Sequence, residues 1–597
     1  MDLLMKNIHM CHQAKHAMSQ MTLDEDLNVP DAKPDVEMII QSRGHIVLEH
    51  SRAESGKLFV DGFMEVGILY MDETKERQLY RLDAKLPFDE IIAVDALEPG
   101  ENVRLRHETE DLSVSLINSR KLSIRALVRF EASVEEIYDL SAAVEIQGAP
   151  ARSLSEWGGE PGARRSEGAD VSGRSWRSNP ARKDEAAGQP GIALCKKRES
   201  LEFLQLEVQK KDILRLKEDV QLPSNKPNIR EVLWEDIQLR GCRTQLEEGR
   251  VSVRGSLFVF VLYRAEDEKE SIQWMEQAVP LEGSLACDGC TAGLVPDVEA
   301  SLSGADLTVK EDMDGEMRIF HLEGVLDLSI CLYGSDTAEI LSDVYSPEKD
   351  LELKTSDETY ETLIVRNESK CRAQGKIRIQ GAKPRILQIC HSSGSVQIDK
   401  TEIVENGIKI EGALPVSILY ISSDDSIPFA VLEGSIPFTH IAEAQGMDLG
   451  VRNGESESLR VARMAEAQGM NQKTRKEDGL SLCRYTLTPV LDQLSATMSD
   501  SEEIEIRASV GLNLFAVRTC HVCCIHEIRE KDYDAERLLD VPGIVGYIVQ
   551  EGDTLWDIAR EYFSTPQQIM EMNGLTSENI KKGDCLILMK NIKMCPS

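Results

Sequence analysis

Two cysteine pairs are the first residues in this chain that could do chemistry. Cys287-x-x-Cys290 and Cys520-x-x-Cys523-Cys524 have the spacing of zinc knuckles, and His521 and His526 flank the second pair. A metal site of that kind needs a partner pair close by, and neither pair has one in sequence. A structural role or plain free thiols is expected, ahead of a metal site or a redox pair. His9, His12 and His16 could line one side of an N-terminal helix, a pattern commoner on a solvated face than in a ligand set. The chain contains no Gly-rich phosphate loop, no His-Glu-x-x-His and no Gly-x-Ser-x-Gly. Acidic residues are too many for any carboxylate pair to stand out as an acid and base. The reading is a protein that is not an enzyme, with no cofactor and no metal. Binding is the chemistry left, and Trp556 is its best single candidate. It lies at the edge of an apolar helical stripe, where a large aromatic is equally a rim-packing residue or an interface anchor.

The elements that would position Trp556 are legible. A short strand (Tyr547–Val549) leads through Glu551-Gly552-Asp553 into a helix capped by Thr554, with Asp557 in the capping-box position. Leu555, Ile558, Ala559 and Tyr562 share one face of that helix. A second helix starts at Thr565-Pro566 with Gln568 closing its box, and Asn573-Gly574 stops it. Gly552 and Gly583 sit where turns need positive φ. A closing strand follows, Cys585–Leu588.

The rest of the chain is repeated. Lys33-Pro34, Lys226-Pro227 and Lys383-Pro384 each open a stretch that continues without a gap. Gly62, Gly255 and Gly412 follow in register, then Leu69-Tyr70, Leu262-Tyr263 and Leu419-Tyr420, then Pro87, Pro280 and Pro437. Three whole domains are implied, because the period is far longer than a solenoid unit. Each copy alternates Val, Ile, Leu and Phe with polar residues between turn-prone runs, which predicts antiparallel β modules. The shared Gly predicts a bulge or a close strand approach. Helix is expected at the N-terminus and at the C-terminal end alone.

The expected organisation is a first repeat with an N-terminal helix at 1–147 and a disordered linker at 148–193, where aliphatic residues are scarce. A second repeat spans 194–355. The third spans 356–535, with an insertion at 441–479 marked by the duplicated Ala442-Glu-Ala-Gln-Gly-Met447 and Ala465-Glu-Ala-Gln-Gly-Met470. The last domain spans 544–590. The fold class is mainly β: three antiparallel β modules followed by a small βααβ domain.

A formal charge of −35 argues against nucleic-acid binding and against adhesion to anionic lipid. The start lacks the features of a secretory signal, and no apolar run approaches the roughly 18 residues of a membrane span. Fourteen Cys across 597 residues are too sparse for a disulfide scaffold. A cytoplasmic protein is expected.

The C-terminal order of strand, helix, helix and strand, with GDTLW after the first strand, resembles a LysM module. Three such repeats followed by that module resemble the SPOCS-repeat, SipL-like family of endospore-forming bacteria. The resemblance implies a spore-coat morphogenetic protein of the mother cell. It would gather at the forespore surface by binding a coat ATPase of the SpoIVA type through the LysM module, and would also meet other coat proteins. It further implies a binding groove in which Gly552, Asp553 and Thr554 face Asn573, Gly574, Leu575 and Ile580, with Ile544 and Val545 extending the apolar surface. The alternative is a carbohydrate-binding protein whose LysM module holds peptidoglycan or its precursors.

Overall fold

A computed structural model describes residues 1–74, 77–101, 103–147, 153–158, 194–267, 271–381, 383–404, 406–444, 482–534 and 539–590. The first repeat contains β1 (Asp2–Asn28), β2 (Val36–Glu54), β3 (Lys57–Asp72), β4 (Leu79–Ala93), β5 (Val103–Asn118) and β6 (Lys121–Gln147). They form two antiparallel sheets, ordered β2-β3-β4 and β1-β6-β5. Met64, Val66, Ile68 and Tyr70 of β3 meet Ile124, Val128 and Phe130 of β6 in the core between them. This is a two-layer sandwich, and alternation along each strand supplies its inner face.

After β7 (Ser153–Gly158), the second repeat contains β8 (Leu194–Gln221), β9 (Ile229–Glu247), β10 (Arg250–Ala265), β11 (Ile272–Ala286), β12 (Val295–Glu311) and β13 (Met317–Tyr345). The third contains β14 (Asp350–Arg378), β15 (Ile386–Gly394), β16 (Gln397–Val404), β17 (Gly407–Ser422), β18 (Phe429–Glu443), β19 (Leu482–Met498) and β20 (Glu503–Lys531). Both repeat the two-sheet plan: β9-β10-β11 with β8-β13-β12, and β15, β16 and β18 on β17 with β14-β20-β19.

The repeat markers fall at equivalent places. The hydroxyls of Tyr70, Tyr263 and Tyr420 donate to the carbonyls of Pro34, Pro227 and Pro384 at 3.2, 3.2 and 3.0 Å. Gly62, Gly255 and Gly412 oppose Phe88, Leu281 and Phe438, and each lies at a register shift in the neighbouring strand. A Cβ on Gly62 or Gly412 would overlap the carbonyl oxygen of Val47 or Gln397, so the expected close approach is present. Pro87, Pro280 and Pro437 lie on β4, β11 and β18, the edge strands, where a missing N–H is tolerated.

The repeats share further cores. In each Leu-Tyr pair the Tyr points into its own repeat. The Leu points the other way, so Leu69, Leu262 and Leu419 meet in one buried cluster with Trp234 and Phe260. Beyond each sandwich two strands of the second sheet continue as two-stranded ribbons, β1/β6, β8/β13 and β14/β20, which pack against one another. Leu140 and Ala142, Ala338 and Ile340, and Val522 and Cys524 are equivalent inward residues of the three ribbons. The body is thus a pseudo-threefold assembly made from one chain.

A charged network also joins the repeats. His391 of the third directs Nε2 at Asp236 (2.9 Å) and Nδ1 at Glu276 (2.8 Å), both of the second. Arg43 of the first reaches Asp236 at 3.2 Å, and the imidazole stacks on Phe260. Only an imidazolium can donate from both ring nitrogens. Burial opposes the charge, but the two carboxylates outweigh it and raise the His391 pKa above its usual 6.5.

Several expectations need correction. The N-terminus is not a helix: β1 pairs along its whole length with β6. Ile8 and Met10 alternate into the shared ribbon core, a pairing stronger than the local helical spacing of the histidines. Part of the expected linker, Ser153–Gly158, pairs in parallel with β8, since an open sheet edge accepts a short extended segment. Residues 148–152 and 159–193 lie outside the described ones. The second repeat ends at Tyr345 and β14 begins at Asp350, earlier than 355/356, because Ser346-Pro347 interrupts the strand. The expected insertion starts later than 441: Ala442 and Ala444 are buried in the third core, and residues 445–481 lie outside the described ones.

Candidate functional site

The C-terminal domain is built as its caps dictate. It comprises β21 (Ile544–Ile548), α1 (Leu555–Glu561), α2 (Pro566–Asn573) and β22 (Cys585–Met589). Thr554 accepts from the Asp557 N–H and Thr565 from the Gln568 N–H, so both helices start at their predicted caps. Gly574 ends α2 at φ 65°, and Gly552 and Gly583 carry φ of 95° and 94° in their turns. Leu555, Ile558, Ala559, Ile569, Leu586 and Leu588 form the core. Ile544 and Val545 lie within β21 rather than before it, paired with Met589 and Leu588.

The groove residues are tied down internally. The Asp553 carboxylate accepts from the Gln550 N–H (2.8 Å) and the Tyr547 hydroxyl (2.7 Å), which holds its pKa below the usual carboxylate value. The same bond pushes Tyr547 up to about 12. Asn573 donates to the carbonyls of Ile569 and Ile587 and accepts from the Ile587 N–H at 2.7 Å, so its side chain fastens β22 to α2. Gly552, Thr554 and Gly574 are exposed, and Leu575 and Ile580 are half-buried against the core.

Trp556 is not at an open rim. It is 1% exposed, and its indole N–H donates to Asp343 of β13 at 2.8 Å. Its ring meets Tyr345 edge-on at 4.9 Å. Arg560 also reaches Asp343 (3.0 Å), and the Tyr345 hydroxyl donates to the Ser564 carbonyl (3.0 Å). Tyr533 donates to Ser346 and packs edge-on against Phe563. Trp556 therefore docks the small domain on the second repeat. No sequence signal marked this contact, because its partner lies some two hundred positions upstream.

The open surface of the domain is the outer face of its two-stranded sheet. Ile544 (67% exposed), Ile548 (63%), Ile587 (51%) and Met589 (38%) stand there with Cys585 and Gly546. Alternation puts Val545, Tyr547, Leu586 and Leu588 on the inner side. Beside the docked face lies an open polar cleft of about 480 Å³, lined in part by Lys197, Asp343, Cys523 and Arg560.

The other candidates have structural places. Cys287 and Cys290 are buried in a turn closed by the same backbone bonds that Val94 and Leu97 close in the first repeat. They substitute for apolar residues, and burial pushes the Cys287 thiol up. Cys520 and Cys523 lie on one extended strand at a spacing that sends them to opposite faces. Cys524 is buried, and burial pushes it up to about 11. His9 bonds Asp139 and His16 bonds Glu131, each across the ribbon. The His12 side chain lies outside the described residues. One cluster escaped the sequence reading: Glu49, His50 and Asp61 bring ligand atoms within 4.8 Å of one another at an exposed bulge. Its counterparts in the other repeats, Cys242-Arg243 with Arg254 and Asp399-Lys400 with Glu411, bring in cations.

Among the described residues no helix is long and apolar enough to cross a membrane. Comparison with known families matches residues 547–588 to the LysM domain, and residues 35–117, 228–310 and 385–454 to the SipL, SPOCS domain. None of the curated proteins and none of the solved structures matches the chain. The first SPOCS match covers β2 to β5, leaving the ribbon strands β1 and β6 outside it. Domains of these two kinds are in general non-catalytic, and together they mark a sporulation-related protein that carries a LysM module.

Proposed function

We propose, from the three SPOCS domains and the LysM domain that this chain carries, that it is a recruitment scaffold of the bacterial spore coat. In this reading it works in the mother cell at the forespore surface, and its LysM module docks a SpoIVA-like coat ATPase while the β body meets other coat proteins. The observation that supports it is the apolar outer sheet face of Ile544, Ile548, Ile587 and Met589. A protein partner gains by covering such a patch. In the proposed groove the Asn573 amide and one oxygen of Asp553 are already bonded to the module's own backbone and Tyr547.

Capture by the full chain tests this. Ile548→Asp and Ile587→Asp should abolish retention of the coat ATPase from sporulating cells while leaving the fold intact by circular dichroism. Undiminished ATPase retention by both variants removes the sheet face from the reading. Tight binding of the wild type to purified peptidoglycan, with no ATPase retained, favours the glycan-binding alternative.

A further inference from the structure

The far parts of the three ribbons are counterparts, yet only the second carries the LysM module. The counterpart cross-strand pairs there are Asp2 with Gln147 in the first repeat, Cys195 with Tyr345 in the second, and Glu352 with Arg529 in the third, whose ladder runs two pairs further to Asp350 with Lys531. One step inward the same register places Ile146, Val344 and Ile528 together in one shared cluster, so the three ends are counterparts. Two ends are polar or charged. The second alone is apolar, and Cys195 and Tyr345 are buried within the LysM core cluster. An acidic residue precedes each end: Glu145, Asp343 and Glu527. Glu145 bonds Lys196 and Arg198, and Glu527 bonds Arg529, whereas Asp343 takes the Trp556 indole and the Arg560 guanidinium of the module.

We propose that Asp343, Tyr345 and Cys195 form a dedicated receptor that holds the LysM module in one orientation on the second ribbon, and that recruitment by the full chain depends on it. These are positioning residues. They cover the Trp556 side of the module and leave its apolar sheet face outward. Dependence of recruitment on them rests on the scaffold reading above; the receptor itself rests on the ribbon comparison. A loosely tethered module would explore many directions, and a partner that also touches the body would lose the benefit of a fixed geometry.

The test uses full-length variants. Tyr345→Arg installs the residue that the third ribbon tolerates at this place, and Tyr345→Phe keeps the ring while removing the hydroxyl. Amide exchange over residues 555–564 should quicken by about tenfold or more in Tyr345→Arg and stay slow in Tyr345→Phe, with residues 257–263 of the second core unchanged in both. ATPase capture should fall in Tyr345→Arg alone. If exchange over 555–564 does not change, there is no receptor. If exchange rises and capture does not fall, the positioning role is wrong. Should 257–263 also open, Cys195→Asp, which copies the first ribbon, is judged by the same two readouts. If the wild type itself captures no ATPase, the scaffold reading fails, and the exchange measurement still decides the receptor.

Discussion

The LysM module and the three-repeat body are stabilised in opposite ways. In the module, the turns, the caps and most of the core lie within fewer than fifty residues, and Thr554, Thr565 and Gly574 each satisfy helix ends a few positions away. In the body the decisive contacts are remote: Leu69, Leu262 and Leu419 share one cluster, and His391 of the third repeat sits between two carboxylates of the second. Local closure lets a module be moved between proteins. Shared cores tie three duplicated domains into one unit, which no copy completes alone.

The sharpest way to break that contrast is Leu262→Asp. A carboxylate in the three-repeat cluster should destabilise the body by at least about 4 kcal/mol. All three repeats should then unfold together in a thermal melt, with amides throughout losing protection. Loss confined to the second repeat would show that the copies fold independently.

His391→Phe comes next. It strips one partner from the buried Asp236, which keeps Arg43 and Gln238, so the loss should be about 3 kcal/mol, the low end for a broken buried pair. The pH dependence has a definite sign. The folded pKa of His391 is raised, so its contribution is complete below the usual 6.5 and is lost as pH rises through the raised value. The wild-type melting temperature should therefore fall across that alkaline step. The variant should lack the step; an identical step in the variant would acquit the histidine.

Trp556→Glu should strike the other side of the comparison. Losing a buried Trp costs about 3 kcal/mol or more, and the new carboxylate would face Asp343. Differential scanning calorimetry should show the module's transition lost or undocked and the body's transition unmoved. A shift of both transitions would mean that the body relies on its docked module. The mildest probe is Tyr420→Phe, which removes one bond to the Pro384 carbonyl at about 1 kcal/mol. Its effect should match Tyr70→Phe and Tyr263→Phe, and a large spread among the three would weaken the equivalence of the repeats.

Much of this protein was legible because it is written locally or three times over. Gly62, Gly255 and Gly412 announced a close approach, and the Thr-x-x-Asp and Thr-x-x-Gln boxes announced two helices. The ribbons were harder. Strands β6, β13 and β20 run far beyond their own sandwiches, to Gln147, Tyr345 and Lys531. Those extensions are buried against other repeats, so their pattern answers to partners that a local window does not contain. The N-terminal segment was misread for the same reason, since Ile8 and Met10 are inward only because two other ribbons face them.

The sequence by itself determined the β class, the threefold duplication and the LysM module, because alternation, register and caps act within a few residues. Tertiary structure alone decided that the Leu of each Leu-Tyr pair leaves its own repeat, that Trp556 is covered, and that the sheet face of Ile544 and Ile587 stays open. Each of those depends on which surfaces meet across some two hundred residues. Burial of a side chain is a property of its neighbours in space, and those neighbours exist only once the chain has folded.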